Sequence, residues 1–128
     1  MYFALWSVLI VSLLPIVLSW VSGHYRNKQF GAVDNKNPRA QAGQLTGAGA
    51  RAVAAQQNGW EALAMWAPAV LVAHIAGAGH ETMNLVAAIF VAARVLHAVC
   101  YLANQDILRS LVWLLGLGAS IAMYVIAA

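Results

Sequence analysis

Apolar residues fall in four long runs, separated by short breaks and by one longer polar stretch. Residues 1–22 contain no Asp, Glu, Lys or Arg, and residues 62–80 contain only His74 and His80 as titratable groups. Residues 82–100 carry Arg94 and His97 and are otherwise apolar, apart from Thr82 and Asn84; residues 110–128 are uncharged. Each run approaches or exceeds the roughly 18–20 residues that span about 30 Å of hydrocarbon as a helix. The pattern predicts an all-α integral membrane four-helix bundle, a single domain over residues 1–128. Its helices are expected at about 1–23, 47–77, 82–104 and 107–127, with a loop at about 24–46.

Composition agrees with the pattern. The chain is 62% hydrophobic and 9% charged, against about 25% charged in soluble domains. A water-facing surface could not be covered with so few charges. The first run lacks a basic leading segment, is long for a signal, and offers only Leu18-Ser-Trp-Val as a cleavage region, so an uncleaved helix is expected. Cys100 is the only cysteine, which excludes an intrachain disulfide, and its apolar surroundings suit a packing residue.

The charge is unevenly placed. Arg26, Lys28, Lys36 and Arg39 lie between the first two runs, with Arg51 just beyond and only Asp34 opposing them. The connection around Gly77 to Glu81 has no Lys or Arg, and that near Asn104 to Arg109 has one. The positive-inside bias therefore places the first and third connections in the cytoplasm and both termini on the other side. Four cations without an aromatic platform suit topology and lipid headgroups, not nucleic acid.

Local signals refine this. Asn35-Lys-Asn-Pro38-Arg39 reads as a turn. Ala40 to Ala55 is rich in Ala, Gln and Gly, and could extend the second helix into the cytoplasm. Gly77-Ala-Gly79 ends the second helix, and His80 or Thr82 opens the third. Pro15 and Pro68 interrupt apolar helices, which membrane bundles tolerate. Gly116, Gly118 and the many Ala residues permit close helix packing. His24, His74 and His80 are scattered and read as structural or interfacial, with no metal site. The five tryptophans read as belt or packing residues.

Two polar constellations stand out in this apolar background. Arg51, Asn58 and Glu61 are spaced by seven and three, which keeps them on one helical stripe. Arg94, His97 and Tyr101 are spaced by three and four on the next helix. Ionisable groups in a bilayer cost several kcal/mol unless they face a wet or paired interior, so each set needs the other, a ligand or a neighbouring chain.

Arg51 with Asn58-Gly-Trp-Glu61, Arg94-Val-Leu-His97-Ala-Val-Cys-Tyr101, and Arg109-Ser110 together resemble the MAPEG family, membrane-associated proteins in eicosanoid and glutathione metabolism. The likeness covers essentially the whole chain. The second motif looks like the Arg-x-x-His-x-x-x-Tyr of the prostaglandin E synthase branch; the first resembles the family's Glu-Arg…Asn-x-x-Glu, with Ala50 in place of the Glu. The resemblance implies a bacterial-type, inner-membrane homotrimer with glutathione as co-substrate between subunits, near the cytoplasmic face. It implies that Arg51, Asn58, Glu61, Arg94, His97 and Tyr101 hold the tripeptide. Arg109 would stabilise the thiolate, with Ser110 as an alternative thiol partner. The chemistry is suitable: arginines match two carboxylates, Glu61 matches an ammonium, and Asn58 both donates and accepts.

The family's enzymes often carry Arg four residues before the Asn, and some carry another just before it; here Ala54 and Gln57 stand there. Two functions follow. One is a glutathione-dependent transferase or peroxidase acting on lipophilic electrophiles, favoured by Arg109 and Ser110. The other is a non-catalytic lipid-binding or accessory protein that associates with another membrane protein, favoured by Ala54 and Gln57.

Overall fold

The computed structural model describes all 128 residues. Four long helices and one short one follow in the order α1 (Phe3–Phe30), α2 (Pro38–Ala42), α3 (Gly47–Ile75), α4 (His80–Leu102) and α5 (Asp106–Val125). There are no strands. Helices α1, α4 and α5 are long and apolar enough to cross a membrane. Helix α3 is equally long, but Asn58, Glu61 and His74 dilute its apolar character, and it falls outside that group. The chain is an all-helical integral membrane protein.

Helix α1 continues to Phe30, past the end near residue 23 expected from hydropathy. Nothing in His24 to Gln29 breaks a helix, and the helix stops only at Gly31, whose φ of 81° reverses the chain. At 1.5 Å per residue its 28 residues reach about 42 Å. That exceeds the hydrocarbon thickness, so the basic end carrying Arg26 and Lys28 overhangs. The polar stretch after it is ordered by Asp34. The Asp34 carboxylate accepts from the backbone N–H of Lys36 at 2.9 Å and of Asn37 at 3.0 Å. Pro38 then opens the short α2, where a missing N–H does no harm. The chain breaks again before Gly47, so Ala40 to Ala55 does not form one continuous extension of α3.

Two tight reversals join the remaining helices. Gly77 (φ 77°) ends the α3 connection, with its N–H on the carbonyl of His74 and that of Ala78 on Ala73. Asn104 (φ 58°) plays the same part after α4, where the N–H of Gln105 reaches the carbonyl of Cys100. Both use the left-handed conformation that Gly and Asn adopt most readily.

Helix α1 packs along α3 and α5 along α4, while α3 and α4 meet in the middle; α1 and α5 do not touch. Burial from water does not drive this contact, because lipid tails are as apolar as the core. Close packing and interhelical hydrogen bonds decide it. Gly59 of α3 lies against Pro15 of α1, where an added Cβ would approach the proline ring to 3.2 Å. Trp66 is fully buried, stacks on Phe90 at 3.9 Å between ring centroids, and donates from Nε1 to Ser7 Oγ at 2.9 Å. At the same end, Asn84 Oδ1 accepts the N–H of Ala4 at 2.9 Å, and Tyr2 stacks on His80 at 4.0 Å. The outer surface is apolar: Leu9, Leu13, Leu96, Leu111 and Ile121 are all exposed.

Candidate functional site

The polar groups gather in the half of the bundle nearer the basic loop. Arg94 projects from α4 into the protein and is 3% exposed. Its Nη2 donates to Asn58 Oδ1 at 2.7 Å and to the Asn58 carbonyl at 3.4 Å. The amide of Asn58 donates from Nδ2 to Glu61 Oε2 at 3.1 Å. Asn58 is thus a relay: it accepts from the cation with one end and donates to the carboxylate with the other. An asparagine suits this position because it offers both functions on one short side chain. Nη2 of Arg94 also lies 3.4 Å from Nδ1 of His97. Arginine only donates, so this contact is a hydrogen bond in the tautomer that leaves Nδ1 unprotonated.

A second group sits between the end of α4 and the start of α5. The guanidinium carbon of Arg109 lies 4.4 Å from the centroid of the Tyr101 ring. This is a cation–π contact, worth about 0.5–1 kcal/mol where water reaches it. His97 meets the edge of the same ring at 5.5 Å. Ser110 Oγ donates back to the carbonyl of Asp106 at 3.1 Å, within its own helix. Asn58, His97, Tyr101, Arg109 and Ser110 line one cleft of about 380 Å³, together with Trp113 and Leu114. That volume lies within the range of about 300–1,000 Å³ usual for small-molecule sites. A smaller cleft of about 160 Å³ between α3, α4 and α5 shares Asn58 and Trp113 with it, and Glu61, Arg94 and Ser120 are its other polar lining residues.

Seven of the eight residues singled out in the sequence therefore meet in two adjoining clefts. Arg51 does not join them. Its Nε and Nη2 both face the carbonyl of Leu102 at 3.4 Å. The Asn104 reversal brings the open end of α4 beside the start of α3, and a cation is suited to the unpaired carbonyls there. The shared stripe of Arg51, Asn58 and Glu61 is real as helix geometry, but its first member serves a helix end. Glu61 meets Arg94 only through Asn58. Gln57 is exposed and Ala54 half-buried, so neither adds a charge to the clefts.

Trp113 lines both clefts. The sequence carried a usable signal: Arg109, Trp113, Gly116 and Ser120 recur at spacings of four and three, one face of α5. Gly116 matters for a different reason. A Cβ there would lie 3.6 Å from Arg94 Cδ, so its hydrogen leaves room for the arginine stem to cross the helix interface.

Two buried atoms have no partner, Nε of Arg26 near the basic loop and Nε of Arg94 at the clefts. A buried guanidinium N–H without an acceptor costs about 1–3 kcal/mol or more, and such groups call for an explanation. No three His, Cys, Asp or Glu residues are grouped closely enough to hold a metal ion.

No curated protein and no solved structure matches the chain. A sequence profile of the MAPEG family matches residues 3–128, and this span contains both helices of the Arg94–Asn58–Glu61 relay and the Arg109–Tyr101 pair. The chain belongs to the MAPEG family, the membrane proteins of glutathione and eicosanoid metabolism.

Proposed function

We propose that the protein is a glutathione-dependent transferase or peroxidase acting on lipophilic electrophiles at the membrane. The observation that carries the reading is the meeting of two chemistries in adjoining clefts that share Asn58. A buried cation and a carboxylate, linked by Asn58, line the smaller one. A partly exposed cation, Arg109, lines the larger one, against Tyr101. Glutathione carries two carboxylates, one ammonium and one thiol. Glu61 suits the ammonium, and Arg94, with an N–H to spare, suits a carboxylate. Tyr101, His97 and Asn58 supply further donors and acceptors around it. Arg109 favours the thiolate over the thiol, whose ordinary pKa is about 8.5. The thiol proton leaves to water and the sulfur attacks the electrophile. Ser110 lies next to Arg109, and its hydroxyl becomes a second donor to the sulfur once it rotates away from the Asp106 carbonyl.

The site belongs to a homotrimer in which α1, α3, α4 and α5 all span the membrane, a bacterial inner membrane. The basic loop faces the cytoplasm and both termini the other side. Burying Glu61, exposed in the single chain, against a neighbour would strengthen its pairing.

A second reading is a non-catalytic member that binds lipid or accompanies another membrane protein. Ala54 and Gln57, which place no charge in the clefts, favour it, as does the engagement of Arg51 at Leu102. Calorimetric titration of the purified protein with glutathione separates the two. The enzyme reading expects saturable binding that weakens about tenfold or more in Glu61→Gln. Absence of binding leaves the accessory reading.

A further inference from the structure

We propose that Arg51 is a positioning residue for Arg109: it grips the last carbonyl of α4 and so fixes the reversal that carries Arg109 over Tyr101. That the positioned guanidinium acts on a thiol rests on the transferase reading; the positioning itself does not. No backbone N–H reaches the carbonyl of Leu102, which is left open where α4 ends. Arg51, half-buried in the second turn of α3, fills it with two N–H groups, Nε and Nη2, each at 3.4 Å. Two donors of one planar group meet a single oxygen, which fixes direction as well as distance. The cation also suits the negative end of the helix.

The chain between that grip and the larger cleft has little slack. Arg109 follows Leu102 by only seven residues. Asn104 turns the chain in the left-handed conformation, with its own N–H on the carbonyl of Tyr101 at 3.2 Å. The N–H of Gln105 then returns to the carbonyl of Cys100 at 2.9 Å, and that of Arg109 closes the first turn of α5 on the carbonyl of Gln105 at 3.0 Å. The side chains of the reversal give no support, since Ala103 to Leu108 are all exposed. The two bonds from Arg51 are the only side-chain hydrogen bonds that reach it from another helix. These links end at the guanidinium of Arg109, whose carbon lies 4.4 Å from the centroid of the Tyr101 ring. Tyr101 is the residue before Leu102, so ring and grip share one turn of α4. Release of the Leu102 carbonyl lets the start of α5 drift, and Arg109 with it. Misplacing a reacting group by about 1 Å can cost about a hundredfold in rate. Arg51 thus serves the reaction without touching the tripeptide.

An arginine held over an aromatic face has a signature that needs no substrate. In the full-length protein in detergent, with isotope-labelled arginine, the Tyr101 ring current moves the Arg109 side-chain proton resonances upfield, and Arg109→Lys assigns them. Arg51→Met keeps an unbranched stem and removes both donors. It should abolish most of the upfield shift and lower kcat about tenfold or more, with glutathione affinity within a factor of about two. Added to Arg109→Ala, the same change should alter kcat less than about twofold, because the group being positioned is already gone. Arg51→Gln puts its Nε2 where arginine has Nε, and should keep the shift and most of the rate, whether or not Arg51→Met folds. An Arg109 signal unmoved in Arg51→Met overturns the positioning role. So does an Arg51→Gln that folds but loses the rate while Arg51→Lys keeps it, since charge alone then acts. A shift lost in Arg51→Met, in a protein whose parent never conjugates glutathione, retains the positioning and sinks the transferase reading.

Discussion

Arg94 Nη2 donates to Asn58 Oδ1 at 2.7 Å, joining the middle helices α4 and α3 through a charged hydrogen bond within the bundle. Arg94 has no carboxylate of its own; its charge reaches Glu61 only by way of the Asn58 amide. The bond therefore has two duties, holding the helices together and aligning the groups that face the cleft.

Replacing Asn58 by Ala leaves the Arg94 donor in place with its main acceptor gone. A loss of about 1–3 kcal/mol is expected, read as a lower unfolding temperature in detergent. The double variant Asn58→Ala with Arg94→Leu should recover part of this, because both polar partners are then removed. Equal melting of parent and Asn58→Ala would show that the bond carries no stability.

Arg109 behaves differently. It is half-exposed, with its guanidinium carbon 4.4 Å from the centroid of the Tyr101 ring. Arg109→Ala is expected to lower kcat while glutathione affinity stays within a factor of about two, the pattern of a contact made mainly in the transition state. A rise in KM alone would instead assign Arg109 to binding. Steady-state conjugation kinetics on the full-length protein make the distinction.

Much of this was legible in the sequence because apolar runs broken by Gly77 and Asn104 leave few ways to place helices. What escaped is equally physical. The end of α1 was misplaced because His24, Arg26, Asn27, Lys28 and Gln29 look like a loop by hydropathy. Yet the segment packs on the start of α3, where a Cβ at Gly49 would come within 2.9 Å of Tyr25 Cβ. Arg51 was grouped with Asn58 by periodicity, which gives the direction of a side chain but not its partner. The carbonyl of Leu102 became available only once Asn104 turned the chain. Trp113 was passed over because a tryptophan in an apolar helix resembles a membrane-interface anchor.

Gly49 itself gives a direct packing test. Its missing side chain lets Leu45 and Tyr25 close over the backbone, each 2.9 Å from where a Cβ would be. Overpacking of this kind costs about 1–3 kcal/mol. Gly49→Ala should melt earlier than the parent, whereas Gly118→Ala, with open space around it, should not. Identical melting of the two would contradict the close α1–α3 approach.

The basic loop has a pH signature. The backbone N–H groups of Asn37 and Lys36 hold the Asp34 carboxyl below the usual carboxylate range. A lowered folded-state pKa means that the contribution is present above the unfolded value of about 3.9 and is lost as pH falls through the folded one. Exchange protection of the Lys36 and Asn37 amides should hold steady from about pH 7 to pH 5 and collapse only below about pH 3.9. In Asp34→Ala it should be low throughout. Protection that survives full protonation would refute this cap.

Lys36 follows the far end of α1, while Glu81 lies beside Asn84, which receives the first turn of α1. The two residues are therefore at opposite ends of the bundle. Single cysteines at the two positions, in a chain whose Cys100 is replaced by Ala, should be labelled from opposite faces of the membrane. Labelling of both from one side would contradict four membrane crossings.

In the proposed reaction Arg109 faces a glutathione thiol and favours its thiolate. Ultraviolet thiolate absorbance, followed while glutathione is added to the purified protein at neutral pH, reads this without any electrophile. A saturable excess of thiolate over that of free glutathione is expected, abolished in Arg109→Ala although the tripeptide still binds. Glutathione that binds with no excess thiolate, or an excess unchanged in Arg109→Ala, would contradict it.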